Sequence, residues 1–140
     1  MADVPAVVTR FLSAWSDREP ARAAAEVTED VVIIDPNGRV DGPATLVEHI
    51  EAVLRRFDFD ASSVHSCFVE GDLAADARMA FVFACRMNGR SSRLAGIETG
   101  FDSAVFVTLR GGKIATWTEY WDPAPMQTTL AAAMGKAPTS

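Results

Sequence analysis

The sequence predicts an α+β domain in which a curved antiparallel sheet wraps around three N-terminal helices to form a cone. Two observations carry this expectation. Apolar residues recur at helical spacing as far as Phe57 and then change to period two from Ser62 onward. Gly111-Gly112 separates two alternating runs, the pattern of a two-residue hairpin turn. Helices gathered in one half of a chain and strands in the other pack as two layers around one core.

Each element has its own reason. Val4, Val7, Val8, Phe11, Leu12 and Trp15 form a helical stripe, which Asp17-Arg18-Glu19 interrupts. Pro20 can open a second short helix, Ala21 to Val27. Thr28-Glu29-Asp30 leads into a β-branched strand, Val31-Val32-Ile33-Ile34, and Asp35-Pro36-Asn37-Gly38 stops it with turn chemistry. Asp41-Gly42-Pro43 starts the third helix, with an apolar stripe of Leu46, Val47, Ile50, Val53, Leu54 and Phe57. Strands follow near 62–70, 73–88, 98–110 and 113–121. Residues 1–123 make one domain, and 124–140 a tail with a short helix over Ala124 to Met134.

Composition excludes several classes of function. With 140 residues, 49% of them hydrophobic, the chain can bury a core without disulfides or metals. A net charge of −6 and scattered arginines leave no basic stripe for nucleic acid. No apolar run reaches the roughly 18 residues of a membrane span, and MADVPAVVTRFL does not read as a signal peptide, so a cytoplasmic location is expected. Cys67 and Cys85 have neither CxxC spacing nor a histidine companion and are expected as buried free thiols. His49 and His65 lie on different elements and suggest no metal site.

The last hairpin holds the candidate chemistry. An unbroken ladder from Gly111-Gly112 sets Arg110 opposite Lys113, Phe106 opposite Trp117, Ala104 opposite Glu119 and Asp102 opposite Trp121. One face then carries Asp102, Phe106, Trp117, Glu119 and Trp121, and the other Ser103, Val105, Val107, Leu109, Ile114, Thr116, Thr118 and Tyr120. Carboxylates among aromatics suit a small-molecule site in which burial separates carboxyl pKa values. Asp35, after four apolar residues, is either such a carboxylate or a turn former capping the amides of Asn37 or Gly38.

The layout resembles the fold family of nuclear transport factor 2, which includes ketosteroid isomerases, SnoaL-type polyketide cyclases and limonene epoxide hydrolases. The resemblance covers roughly residues 4 to 123. It rests on Glu29-Asp30-Val31 leading to Asp35-Pro36-x-Gly38, the Gly42 helix start, and Gly-Lys-Ile-x-x-Trp-x-Glu-Tyr-Trp-Asp at 112–122. It implies Asp35 as the general base and Asp102 near the isomerases' protonated acid. Phe11, by its spacing, stands where those enzymes carry an oxyanion-hole tyrosine. The hydrolases' Arg-x-Asp is matched only by Arg78-Met79-Ala80, with Glu119 at their water-activating aspartate.

The expected function is therefore cofactor-independent proton transfer on a small apolar carbonyl compound, of the polyketide-cyclase or isomerase type. Asp35 is the expected base, Asp102 or Glu119 the acid, and Phe11, Trp15, Phe57, Trp117 and Trp121 the pocket wall. The alternative is a non-catalytic module that binds an apolar ligand or dimerises, with an epoxide hydrolase third. A homodimer is expected through the second hairpin face, Val105, Val107, Ile114 and Tyr120.

Overall fold

A computed structural model describes residues 3–135. In chain order it contains α1 (Ala6–Ser16), α2 (Pro20–Ala24), β1 (Val27–Asp35), β2 (Gly38–Asp41), α3 (Pro43–Arg56), β3 (Phe57–Gly71), β4 (Ala77–Gly89), β5 (Glu98–Arg110), β6 (Lys113–Tyr120) and α4 (Ala124–Gly135). The strands form one 6-stranded sheet in the order β2-β1-β6-β5-β4-β3. Its pairs are antiparallel except β1 with β6, which run parallel. The α+β cone is as expected: the sheet curls around the helices and buries one face against them. No helix among the described residues is long and apolar enough to cross a membrane.

The helices form where the stripes indicated. On α1, Val7, Val8, Phe11, Leu12 and Ala14 are buried. Arg18, at φ 60, ends the break before α2, and its guanidinium donates to the carbonyls of Leu54 at 2.7 Å and Phe57 at 3.3 Å. Those carbonyls belong to the C-terminal end of α3, where orphan acceptors need donors. Arg18 thus lets α3 pass into β3 without a loop.

Three strand starts differ from expectation. β1 begins at Val27 rather than Val31, β3 at Phe57 rather than Ser62, and β4 at Ala77 rather than Leu73. β2 was not foreseen at all. The Asp35-Pro36-Asn37-Gly38 turn does not merely stop β1 but folds the chain back, pairing Asp35 with Gly38 and Ile33 with Val40. The 15-residue β3 follows the curl of the sheet through two register shifts, Asp60/Ser63 and His65/Phe68. Ser66 sits in the second at φ 57, as a bulge residue can.

The final hairpin contains the most consequential correction. Gly111 and Gly112 both have positive φ, 59 and 76, as a type I′ turn requires, and Arg110 pairs with Lys113. Between Thr108 and Leu109 the register then slips, so Val107 rather than Phe106 faces Trp117, and Val105 rather than Ala104 faces Glu119. A bulge at Ala115, inserted between Ile114 and Thr116, changes the parity of everything beyond it. Hydrophobic burial supplies the reason. Val105, Val107, Leu109, Ile114 and Trp117 are all buried, and an unbroken ladder would have put some of them in water.

The two faces are therefore redistributed. Ser103, Val105, Val107, Leu109, Ile114 and Trp117 join the core on the concave side. The convex side carries a straight cross-strand row of Phe68, Ala80, Phe106, Thr118 and Ile34, with Tyr120 alongside. Phe68, Phe106 and Tyr120 there are 63%, 54% and 61% exposed. Of the residues expected on a dimer face, only Tyr120 is outward. Cys67 and Cys85 are free and buried, as expected.

Candidate active site

The parallel pairing of β1 with β6 builds the site. Ile33 lies beside Trp117 and Ile34 beside Thr118, so continuing the register brings Asp35 beside Glu119. Neighbouring strands stand about 5 Å apart, and residues two apart share a face. Ile33 and Trp117 point into the core, and Asp35 and Glu119 therefore project into the same concavity. Both line one cavity of about 100 Å³ between the sheet, α1 and α3.

Its walls are aromatic. Phe11 packs on Trp117 at 4.8 Å and Phe59 on Trp15 at 5.0 Å between ring centroids. Trp121 is stacked on Phe101 at 4.3 Å and 15°. Leu12, Ile33, Leu46, Val53, Phe83, Met87 and Met126 of α4 complete the apolar lining. Polar groups are few: Asp35, Asn37, His49 and Glu119. No lysine or arginine among the described residues lines this chamber.

Glu119 is the perturbed group. Burial first, and then the neighbouring Asp35 charge, push its carboxyl from the ordinary 4.5 up to about 7. The Trp117 Nε1–H donates to Glu119 Oε1 at 2.7 Å and holds the rise back. Glu119 is half-buried and lines this small cavity. The Trp121 indole N–H also lowers the Glu119 pKa, but it falls outside hydrogen-bonding geometry and is a buried donor without a partner among the described residues.

Asp35 is the turn former that one of its sequence readings expected. Its Oδ1 accepts the backbone N–H of Asn37 at 2.8 Å and of Gly38 at 3.0 Å, which fixes the β1–β2 turn. The same side chain lines the cavity.

The remaining candidates separate. Phe11, Trp15, Trp117 and Trp121 line the chamber as expected. Phe57 does not; it lines an adjoining groove, and Phe59 holds the wall position instead. Asp102 is exposed on the convex side opposite Ala84, because the bulge reversed its parity relative to Glu119. Arg78 is also outward, ion-paired with Glu70 at 2.7 Å, so it cannot partner Glu119. His49 was passed over by the sequence reading; it stands edge-on to Trp15 at 6.0 Å. Its signal was the helical spacing from Leu46 to Val53, which brackets it. No group of three or more His, Cys, Asp or Glu that could hold a metal occurs among the described residues.

Comparison with solved structures agrees with this architecture. A putative polyketide cyclase from Silicibacter sp. TM1040 superposes with a TM-score of 0.73 at 15% identity, over 88% of this chain and 91% of that one. A nuclear transport factor 2-like protein from Burkholderia xenovorans LB400 gives 0.70 at 18%, over 89% and 92%. An LEH-like epoxide hydrolase from M. tuberculosis gives 0.67 at 18%, over 92% and 90%. At these identities the likeness is one of fold. No protein of curated function matches in sequence. The SnoaL-like domain profile matches residues 8–117, ending before Glu119, and the chain belongs to the SnoaL-like domain family.

Proposed function

We propose that this protein catalyses proton transfer next to the carbonyl of a small, largely apolar compound, in the manner of an isomerase or cyclase. One observation carries the reading: two carboxyl groups from adjacent strands share an aromatic cavity, whose burial pushes the Glu119 carboxyl up to about 7. Pairs of acids with separated environments are how a single pocket supplies a base and an acid together.

In this scheme the Asp35 carboxylate removes a proton from the carbon beside the carbonyl. Glu119, in its protonated form, donates to the carbonyl oxygen as negative charge develops there. The Glu119 proton neutralises the enolate; as Asp35 then returns its proton to carbon, the enol O–H gives its proton back to Glu119 and the carbonyl re-forms. The aromatic wall keeps water away, which strengthens both interactions. Glu119 takes the acid role that the sequence had left open between it and Asp102.

The test is deuterium exchange at the α-carbon of a small cyclic ketone such as cyclohexanone, followed by NMR. Wild type is expected to exchange the α-protons, and Asp35→Asn and Glu119→Gln to do so at least about 100-fold more slowly. Exchange that is equal in all three proteins would overturn the reaction. Its absence in wild type would favour a non-catalytic ligand-binding module.

We also propose a homodimer through the convex row of Phe68, Phe106 and Tyr120. An exposed apolar patch of this kind on a sheet is usual at an interface. The Arg78–Glu70 pair beside it offers both charges to a two-fold mate.

A further inference from the structure

The inner chamber is not closed off. A second space, of about 430 Å³, adjoins it, and six residues line both: Asn37, His49, Val53, Met87, Trp121 and Met126. It is a slot between α3 and α4. On α3, His49, Val53 and Arg56 are four and then three residues apart, the spacing of a single helix face. His49 borders both spaces, whereas Arg56 borders only the outer one. Seven residues of helix at 1.5 Å each separate them by roughly 10 Å.

Charge is distributed unevenly along this path. The inner end holds Asp35 and Glu119 with no lysine or arginine among the described residues. The outer slot is largely apolar through Ala52, Phe57, Pro123 and Leu130 but is also lined by Arg56, the only lysine or arginine along either space among the described residues. The Arg56 guanidinium lies over the Phe57 ring at 5.6 Å and forms no ion pair with a carboxylate among the described residues. An anion entering head-first would meet the Asp35 carboxylate and the buried Glu119 carboxyl, with no cation beside them among the described residues. One entering tail-first would leave its charge beside a cation.

We propose that the site takes an elongated ligand, apolar along its length and acidic at its outer end. The acid sits at Arg56, the chain passes between Met87, Met126 and Trp121, and the far end lies by Glu119. This rests on the cavity being a small-molecule site, as proposed above, and it narrows the substrate to a chain or ring carbonyl compound with a remote carboxylate.

The three tryptophans of the chain all line the inner chamber, so intrinsic fluorescence reports its occupation. The probes are decanoate, decanol and decylammonium, which share a chain and differ in head charge. Decanoate is expected to bind about fivefold more tightly than decanol, the gain of an exposed ion pair, and decylammonium more weakly than either. Arg56→Gln should bring the decanoate-to-decanol ratio close to one, and Arg56→Lys should largely restore it. Equal affinities in wild type, a preference for decylammonium, or a decanoate preference that survives Arg56→Gln would each overturn the assignment. The ranking needs no turnover. Failed α-proton exchange strikes the proposed reaction alone, and a flat ranking strikes this assignment alone.

Discussion

Glu119→Gln isolates the energetic consequence of burying a carboxyl in an aromatic chamber. Glutamine keeps the shape and can still accept from the Trp117 N–H, so the substitution removes the ionisation and little else. Folding raises the Glu119 pKa from 4.5 to about 7, and at about 1.4 kcal/mol per unit this amounts to roughly 3 kcal/mol. The folded pKa is the raised one, so the native state binds the proton more tightly than the unfolded chain. This stabilisation is present in full below 4.5 and is lost as pH rises through about 7. The variant has no such loss. In urea titrations from about pH 5 to about pH 9, the variant should gain on wild type by most of that amount. A stability difference that stays flat across the range would mean that Glu119 ionises like an exposed carboxylate, and the site would lose its acid.

Other expectations follow from the same geometry. Because Glu119 must hold a proton to act, α-proton exchange should decline above about pH 7. Trp117→Phe deletes the 2.7 Å bond that favours the charged carboxyl, so that alkaline limb should move to higher pH. Arg18→Ala strips donors from the Leu54 and Phe57 carbonyls and should cost about 1–2 kcal/mol in urea unfolding. Phe106→Glu places a charge at the centre of the convex row. Sedimentation should then show monomers where wild type sediments as a dimer, and a wild type that is already monomeric would refute the interface.

Much of the fold was legible because burial imposes its period on the chain. The α1 stripe, the Pro43 start of α3 and the Gly111-Gly112 turn each follow from local chemistry. The 4-residue β2 was not legible, since Asp35-Pro36-Asn37-Gly38 reads equally as a stop or a reversal. The bulge at Ala115 hid the site's composition. A turn fixes register only until an extra residue enters one strand, so Asp102 was placed with Glu119 when it faces outward. The apolar pattern already opposed an unbroken ladder: Ser103, Val105, Val107 and Leu109 form the more apolar side of β5, and Trp117 had to join them to be buried. The Asp35–Glu119 pairing depends on β1 lying parallel to β6, a contact between segments more than eighty residues apart that no local pattern announces.

The central claim is that Glu119 carries a proton near neutral pH because it is buried beside Asp35. Isotope-labelled glutamate, observed by NMR while pH is varied, tests it directly. The account expects one side-chain carboxyl with a midpoint near 7, absent in Glu119→Gln and shifted downward in Asp35→Asn once the neighbouring charge is gone. If every glutamate instead titrates near the ordinary 4.5, Glu119 is ionised under working conditions and the acid–base account is contradicted.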